Sequence, residues 1–376
     1  DSRLMSIYGQ QGQFSAMTLN NDITAQINLG NEATIVQLLI TPEQMEFKQF
    51  HHLVANTPLN DVIGDIFEFV KLDGDAAATV HISIPVSNDD PVDVRGNVAT
   101  NMAQLNLPDI PLNFSDLNAL VSFDNSSFTI GANEGELFGL PVSFNVKGFQ
   151  INTGETSDYR IQADLFGDWQ HSDFVEHYPS KLNYYFDGDI TSSVKVEVNL
   201  EDQGYQYFVS GNSDLSQTQY DITKPLIKKL GEQATFNTFV VGDENGHKLE
   251  LSLDDKLFFQ GNISSETGAF EQANLTIGSE RSILPVSGFD IRLELQETEF
   301  EPTLSFVTDL IEYINQGEPS ESPVLSAPNK VSGNIQNFTI LGQEWQNVSL
   351  DAKPQTDSWL FSVGAKQTLS DIIVYD

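Results

Sequence analysis

Apolar and polar residues alternate one by one through much of this chain, and this pattern constrains the fold more than any other feature. Every second side chain of an extended strand points to the same face of a sheet, so the alternation indicates strands with one apolar and one polar face. A sheet covered on both faces would show continuous apolar runs instead. The apolar face is clearest at Val80, Ile82, Ile84, Val142, Phe144, Val146, Val194, Val196, Val198, Leu249, Leu251, Leu253, Ile291, Leu293 and Leu295.

Turn-forming residues separate the alternating runs. Asp187-Gly188 and Glu244-Asn245-Gly246 place residues that tolerate positive φ between neighbouring runs. The segments 137–140 and 340–343 each contain a Gly at a position where a hairpin turn needs one. We therefore expect a mostly β fold in which successive strands are antiparallel neighbours in a meander.

A few short amphipathic helices are predicted to interrupt the strands, near 42–70, 170–186, 224–231 and 303–315. The first segment opens with a capping box at Thr41-Pro42-Glu43-Gln44. The last carries apolar residues at helical spacing: Leu304, Val307, Leu310, Ile311 and Ile314. Their polar faces lack the Lys and Arg enrichment of membrane-surface helices, so we expect them to cover an edge or opening of the sheet.

Residues 315–330 are predicted to be a linker or loop, because they are poor in apolar residues and contain Pro319 and Pro323. The linker divides a continuous strand region, 1–314, from a final strand group, 331–376. No uninterrupted apolar run reaches the length of a transmembrane helix.

The charge balance narrows the possible partners. The chain has 18 Lys and Arg against 54 Asp and Glu, a formal net charge of −36. Such an excess repels phosphate backbones, which argues against nucleic acid, and it keeps a protein with much apolar surface soluble.

No residue pattern predicts catalysis, a metal site or a cofactor. The chain has no cysteine, and its six histidines are not spaced as converging metal ligands. Nucleotide-binding and nucleophile motifs are also missing from the sequence. Carboxylate pairs such as Asp254-Asp255 adjoin turns, where Asp is favoured for local hydrogen bonding. Tyr184-Tyr185-Phe186 and Tyr220 are interpreted as packing residues rather than a sugar-binding surface.

The order of several segments resembles a known family. A Thr57-Pro58-Leu59 helix start is followed by strands beginning at 72–75, by 82–86 and 94–98, and then by 117–125 and the hairpin at 137–142. The C-terminal part continues the likeness at 331–335, at 341–348 and in a strand containing Trp359. In this order the chain is similar to YhdP-type members of the AsmA-like, or TamB-like, superfamily.

The resemblance implies a long, highly twisted antiparallel sheet that forms an elongated groove with an apolar interior. It further implies non-enzymatic phospholipid transport between the inner and outer membranes of a Gram-negative envelope, with acyl chains as the contacted partner. The apolar residues named above would line the groove. The chain would be a periplasmic fragment from the C-terminal part of a protein anchored in the inner membrane, meeting both membranes through other regions.

Two other functions stay open on the residues alone. A non-catalytic adhesion or scaffold protein built of stacked β-sandwiches would show the same alternation, with apolar faces packed together and no lumen. A polysaccharide-active enzyme would require two carboxylates in one cleft, which the sequence does not identify.

Overall fold

The structure is a computed structural model, and it describes residues 3–9, 12–14, 17–19, 23–29, 34–41, 45–55, 71–86, 90–107, 112–152, 157–201, 204–278, 281–316, 323–366 and 369–375. The fold is mostly β, as predicted. The strands are β1 (Arg3–Gly9), β2 (Gly12–Phe14), β3 (Met17–Leu19), β4 (Ile23–Leu29), β5 (Thr34–Ile40), β6 (Met45–Glu46), β7 (Lys71–Pro85), β8 (Asp93–Leu107), β9 (Leu112–Asp124), β10 (Ser127–Leu137), β11 (Leu140–Pro141), β12 (Ser143–Asn152), β13 (Ser157–Trp169), β14 (Phe186–Gly188), β15 (Ile190–Leu200), β16 (Tyr205–Asp214), β17 (Thr218–Thr223), β18 (Leu226–Lys228), β19 (Thr235–Asp243), β20 (Gly246–Leu253), β21 (Leu257–Ser264), β22 (Phe270–Gly278), β23 (Gly288–Glu299), β24 (Pro328–Ile340), β25 (Gln343–Gln355), β26 (Ser358–Gly364) and β27 (Leu369–Tyr375). The helices are α1 (Phe47–Ala55), α2 (His171–His177), α3 (Phe300–Ile314) and a 3-10 helix (Lys181–Tyr184).

The chain divides into two compact units, Asp1–Gly167 and Asp168–Asp376. This boundary falls within β13, between Gly167 and Asp168. The predicted continuity of a groove through residues 1–314 therefore stays a prediction.

Unit 1 (Asp1–Gly167) is an antiparallel meander in which β1, β4, β5, β7, β8, β9, β10, β12 and β13 pair in that order. One cross-strand row on its apolar face joins Val80, Gly96, Phe123, Phe128 and Gly148. Each of the two phenylalanine rings in this row lies over the glycine beside it, Phe123 over Gly96 and Phe128 over Gly148. A Cβ added at Gly96 would lie 2.6 Å from Cζ of Phe123.

Unit 2 (Asp168–Asp376) begins with an antiparallel series, β15, β16, β19, β20, β21 and β22. The prediction of an antiparallel meander is wrong at the next two pairings, because β23 runs parallel to both β22 and β24. Antiparallel pairing resumes from β24 to β27. The final strand group begins at Pro328, within the predicted linker 315–330, and is hydrogen-bonded to β23.

Neither parallel pairing follows a tight hairpin turn, since parallel neighbours need a connection that returns the chain to the same end of the sheet. Helix α3 joins β23 to β24 as a crossover. The described part of the connection from β22 to β23, residues 281–287, lies against the polar face of the sheet, where Gln272 Nε2 donates to the carbonyl oxygen of Val286 at 2.9 Å. Thr276 Oγ1 lies 2.9 Å from Ser282 Oγ in the same contact. These bonds hold the connection flat against the strands it joins.

The two predicted glycine hairpins are confirmed. Phe138 and Gly139 have φ of 54° and 78°, and Leu341 and Gly342 have φ of 47° and 75°. Positive φ at both central residues is the conformation of a type I′ turn, whose twist matches that of the flanking strands.

Helical and extended elements of unit 2 cover the apolar face of its sheet. We call the cover the roof: α2, the 3-10 helix, α3 and the small antiparallel sheet β14-β17-β18. A cluster of buried hydroxyl groups joins the roof to the sheet. Thr298 Oγ1 of β23 lies 3.0 Å from Thr223 Oγ1 of β17 and 2.9 Å from Thr303 Oγ1 of α3. Tyr185 OH also donates to Asp309 Oδ2 at 2.7 Å, which joins the end of the 3-10 helix to α3.

Helices form in three of the four predicted segments. Helices form in 170–186 and 303–315, and α1 forms inside 42–70, whereas residues 42–44 and 56–70 lie outside the described residues. The helix predicted near 224–231 is wrong: β18 occupies part of that segment, because Leu226 and Lys228 are buried against β17 while Ile227 between them faces solvent. Leu304 is also solvent-exposed, and Phe306 takes its place on the buried face of α3.

Adding a methyl group at Gly96 is expected to destabilise unit 1. The new Cβ would meet both the Phe123 ring and the carbonyl oxygen of Thr79, 2.7 Å away, and the backbone cannot give way cheaply. Gly96→Ala should lower the free energy of unfolding by about 1–3 kcal/mol, as measured by urea unfolding followed by circular dichroism. Gly131→Ala is the matched control, because the nearest atom there is 3.4 Å away. Equal stabilities of the two variants would contradict the ring-over-glycine packing.

Removing the Tyr185 hydroxyl is expected to loosen the roof. Burial, together with the hydrogen bond to Asp309, raises the pKa of Tyr185 to about 12. Tyr185→Phe should cost about 1–2 kcal/mol at neutral pH, and the difference from wild type should narrow as the pH rises from about 10 towards 12, because the folded-state pKa is the higher one. Urea unfolding followed by tryptophan fluorescence reports on unit 2, which contains all three tryptophans.

Tyr184→Phe is the control for the roof experiment. It is the same substitution at the preceding residue, and because Tyr184 is 90% exposed, loss of its hydroxyl should change stability little. A loss of stability in Tyr184→Phe as large as that in Tyr185→Phe would show that the roof is not held by the Tyr185–Asp309 hydrogen bond.

A roofed apolar cavity as the candidate functional site

The apolar face of unit 2 is continuous from strand to strand. Residues directly opposite one another across neighbouring strands share a face. One such row begins at Val194 of β15 and reaches β26 without a charged residue: Val194, Gly211, Thr238, Leu251, Phe259, Leu275, Ile291, Val331, Ala352 and Phe361. The face predicted from alternation is thus a single surface within this unit.

A cavity of about 720 Å³ lies between this face and the roof. Its sheet side is formed by Ile190, Phe236, Leu249, Leu251, Leu253, Leu257, Phe259 and Phe270. Its roof side is formed by Phe174, Leu182, Tyr185, Phe186, Tyr220, Ile222, Phe306, Leu310 and Ile314. None of the described residues that line it is charged. The cavity therefore suits an uncharged, apolar guest.

Part of the cavity lining is polar. Tyr178 and Ser180 contribute from the connection after α2, and Tyr313 of α3 is 38% exposed. Burial and the neighbouring Tyr313 phenol raise the pKa of Tyr178, so it stays protonated. Tyrosines of this kind, apolar in the ring and polar at the tip, suit the border between an apolar site and water.

Two groups of predicted lining residues occupy this part of unit 2, with different surroundings. Leu249, Leu251 and Leu253 line the cavity and are only partly buried. Ile291, Leu293 and Leu295 share their face but lie in the core cluster that contains Phe306 and Val307 of α3, so they are at most 6% exposed. Helix α3 decides the difference, because it packs directly on β23 and β24.

The remaining predicted residues are not part of the cavity. Val194, Val196 and Val198 of β15 share the apolar face, with Val194 and Val196 partly exposed and Val198 buried. In unit 1, four residues are buried and two are partly exposed: Val80, Ile82, Val142 and Phe144, then Ile84 and Val146. A groove-lining role for these residues stays a prediction.

Sequence reasoning missed the roof side of the cavity. Tyr185, Phe186 and Tyr220 were recognised as packing residues, but alternation could not show that they face a cavity. Phe306 and Leu310 lie on one face of an amphipathic helix, and this spacing was the available signal. Pairing that helix face with a strand face requires the tertiary structure.

The described part of the chain contains no cluster of three or more His, Asp or Glu side chains arranged to hold a metal ion. Within the same residues, no helix combines the length and the apolar character needed to cross a bilayer.

Comparison with known proteins agrees with the features described above. The family model described as YhdP protein matches residues 1–375. The intermembrane phospholipid transporter YhdP of Escherichia coli (strain K12) is 22% identical over 316 residues, which cover 83% of this chain and 24% of that protein. The chain thus spans about a quarter of the length of that relative. No solved structure matches. Since the family model covers almost every residue, the chain belongs to the YhdP family.

Proposed function

We propose that this chain forms part of a conduit that carries phospholipids between the inner and outer membranes of a Gram-negative envelope. It would act in the periplasm without catalysing a reaction, and regions outside this chain would contact the membranes. The observation that carries the proposal is the continuous apolar face of unit 2 with an uncharged cavity above it. The relative named as an intermembrane phospholipid transporter supports the choice of cargo.

The apolar face suits transport because the hydrophobic effect that binds an acyl chain does not depend on a particular orientation of the chain. Burial of acyl-chain surface contributes roughly 25 cal/mol per Å², whatever the position of the chain along the face. A chain can therefore slide without breaking a particular hydrogen bond. On the sheet side of the cavity, which we call its floor, Leu249, Leu251 and Leu253 occupy every second position of one strand. A sliding acyl chain therefore moves only a short distance from one apolar side chain to the next.

The acidic outer surface complements this arrangement. The net charge of −36 keeps the protein soluble despite its apolar face. Glu250 illustrates the division: it lies between Leu249 and Leu251 in sequence, but pairs with Lys248 at 2.6 Å and Arg281 at 3.1 Å on the opposite face of the sheet. In the proposed function, lipid contacts one face of these strands and water contacts the other.

The cavity also bears on the rival scaffold function. Stacked β-sandwiches would bury apolar faces against one another at normal packing density, with few voids larger than a water molecule. A space of about 720 Å³ beneath the roof of unit 2 favours a protein that holds an apolar guest.

Photocrosslinking in cells tests the proposal at the cavity. A photoreactive phenylalanine analogue replacing Leu251 should form adducts with phospholipids, and the released lipids should have intact masses if no reaction is catalysed. The control position is Phe239, which lies on the opposite face of the neighbouring strand and is 39% exposed. Adducts at Phe239 but not at Leu251 would refute the proposal.

A second pair of positions tests whether lipid contacts the apolar face at β15, outside the cavity. Val196 and Glu197 are consecutive residues of β15 that point to opposite faces. If acyl chains move beyond the cavity along the sheet, the analogue at position 196 should also capture phospholipid and the analogue at 197 should not. Labelling confined to Leu251 would restrict lipid contact in unit 2 to the cavity.

A further inference from the structure

We propose that residues 171–184 of the roof form a lid whose opening admits lipid to the cavity of unit 2. The lid consists of α2, the 3-10 helix and the turn between them. This inference rests on the proposed lipid-carrying function and assigns control of access to one segment of the roof. Phe174, Tyr178 and Leu182 of the lid line the cavity, so displacement of the lid opens the cavity on that side.

The two ends of the lid lie side by side. The His171 ring at the start of α2 packs edge-on against the Phe186 ring, with the centroids 5.1 Å apart, and His171 Nδ1 lies 3.5 Å from Asp187 Oδ1. On the C-terminal side, the carbonyl oxygen of Tyr185 accepts from the backbone N–H of Asp221 in β17 at 3.0 Å. A short surface loop with adjacent ends is an Ω-loop. Such a loop can turn about its ends without moving the strands that hold them.

Hydrogen bonds within the lid make it one body. Asn183 Nδ2 donates to the carbonyl oxygens of Tyr178, at 2.9 Å, and Phe174, at 3.4 Å. His171 Nε2 donates to the carbonyl oxygen of Asn183 at 3.0 Å. These bonds join α2 to the 3-10 helix, so the two helices are expected to move together.

The lid is anchored far less firmly than α3. No residue of α2 or of the 3-10 helix is buried, and Leu182 is only partly buried where it packs against the core cluster. Helix α3, by contrast, buries Phe306 and Val307 in that cluster. Segments with few buried contacts open at a lower free energy than the core does. The lid can therefore open while α3 stays on β23 and β24.

An exposed ion pair holds the lid to α3. Lys181 Nζ lies 2.7 Å from Glu312 Oε2 and 3.6 Å from Asp309 Oδ1. The Lys181 and Glu312 side chains are about half exposed, and ion pairs of this kind contribute little to stability. The pair thus positions the closed lid on α3 without preventing its release.

Cross-linking the lid to α3 tests the inference. The chain has no cysteine, so Lys181→Cys with Glu312→Cys provides two thiols that a short bismaleimide can join at the site of the ion pair. Trp169 lines the cavity, and replacing the other two tryptophans with phenylalanine makes it the sole fluorophore of this type. The full 376-residue chain, delipidated, is mixed with vesicles of dibrominated phosphatidylcholine, whose bromine atoms quench tryptophan on contact. Cross-linking should slow the quenching at least about tenfold, because the lid can no longer leave α3.

Lys224→Cys with Glu297→Cys is the matched control. This ion pair joins the same residue types at 2.6 Å, is also about half exposed, and links the roof to β23 outside the lid. The cross-link between positions 224 and 297 should leave the quenching rate within about twofold of that before cross-linking, since the lid is still free to open.

Each other outcome contradicts a defined part of the account. Equal quenching rates before and after cross-linking of positions 181 and 312, or equal slowing by the control cross-link, would overturn the lid and leave lipid carriage intact. Absence of quenching in every protein would contradict the proposed function and this inference with it. Hydrogen exchange of the unsubstituted chain requires no variant: amides of 171–184 should exchange as a group and faster than those of α3. Equal protection of the two segments would overturn the inference.

Discussion

Burial of one apolar sheet face is the interaction on which the rest of this protein depends. The same face drives folding of the strands and, in the proposed function, attracts the cargo, because both effects arise from removing apolar surface from water. In unit 2, other elements cover this face in two ways. At β23 and β24, helix α3 packs directly on the face, whereas over β19 to β21 the roof and the sheet are separated by the cavity.

The glycine and aromatic pairs show how the face is kept smooth. Phe123 lies over Gly96 in unit 1, and Phe270 lies against Gly261 in unit 2. A glycine beneath a ring lets the aromatic side chain lie along the sheet instead of projecting from it. In unit 2 this arrangement adjoins the cavity, where Phe270 is part of the lining. Such packing provides apolar area without obstructing a chain that moves across the strands.

Strict alternation was sufficient to predict the strands that contain Val80, Phe144, Val194, Leu249 and Ile291, because the two-residue period depends only on local backbone geometry. It could not separate Leu251, which lines a cavity, from Leu293, which lies in a core, since the two have the same local pattern. Their difference comes from a helix that follows in sequence and packs on only one of the two strands. The parallel pairing of β23 and the short strand β18 were missed for a related reason: both depend on long connections or on tertiary pairing rather than on local periodicity.

The central claim is that an acyl chain occupies the space between the roof and the floor of unit 2. Methyl NMR with a phospholipid that carries a spin label near the end of one acyl chain tests it most directly. The account predicts strong broadening of the Leu249, Leu251 and Leu253 methyl signals, with the signals of Leu304 and Ile227 on the exposed exterior unchanged. Broadening of the exterior leucine and isoleucine methyls, with the three floor leucines unaffected, would contradict it.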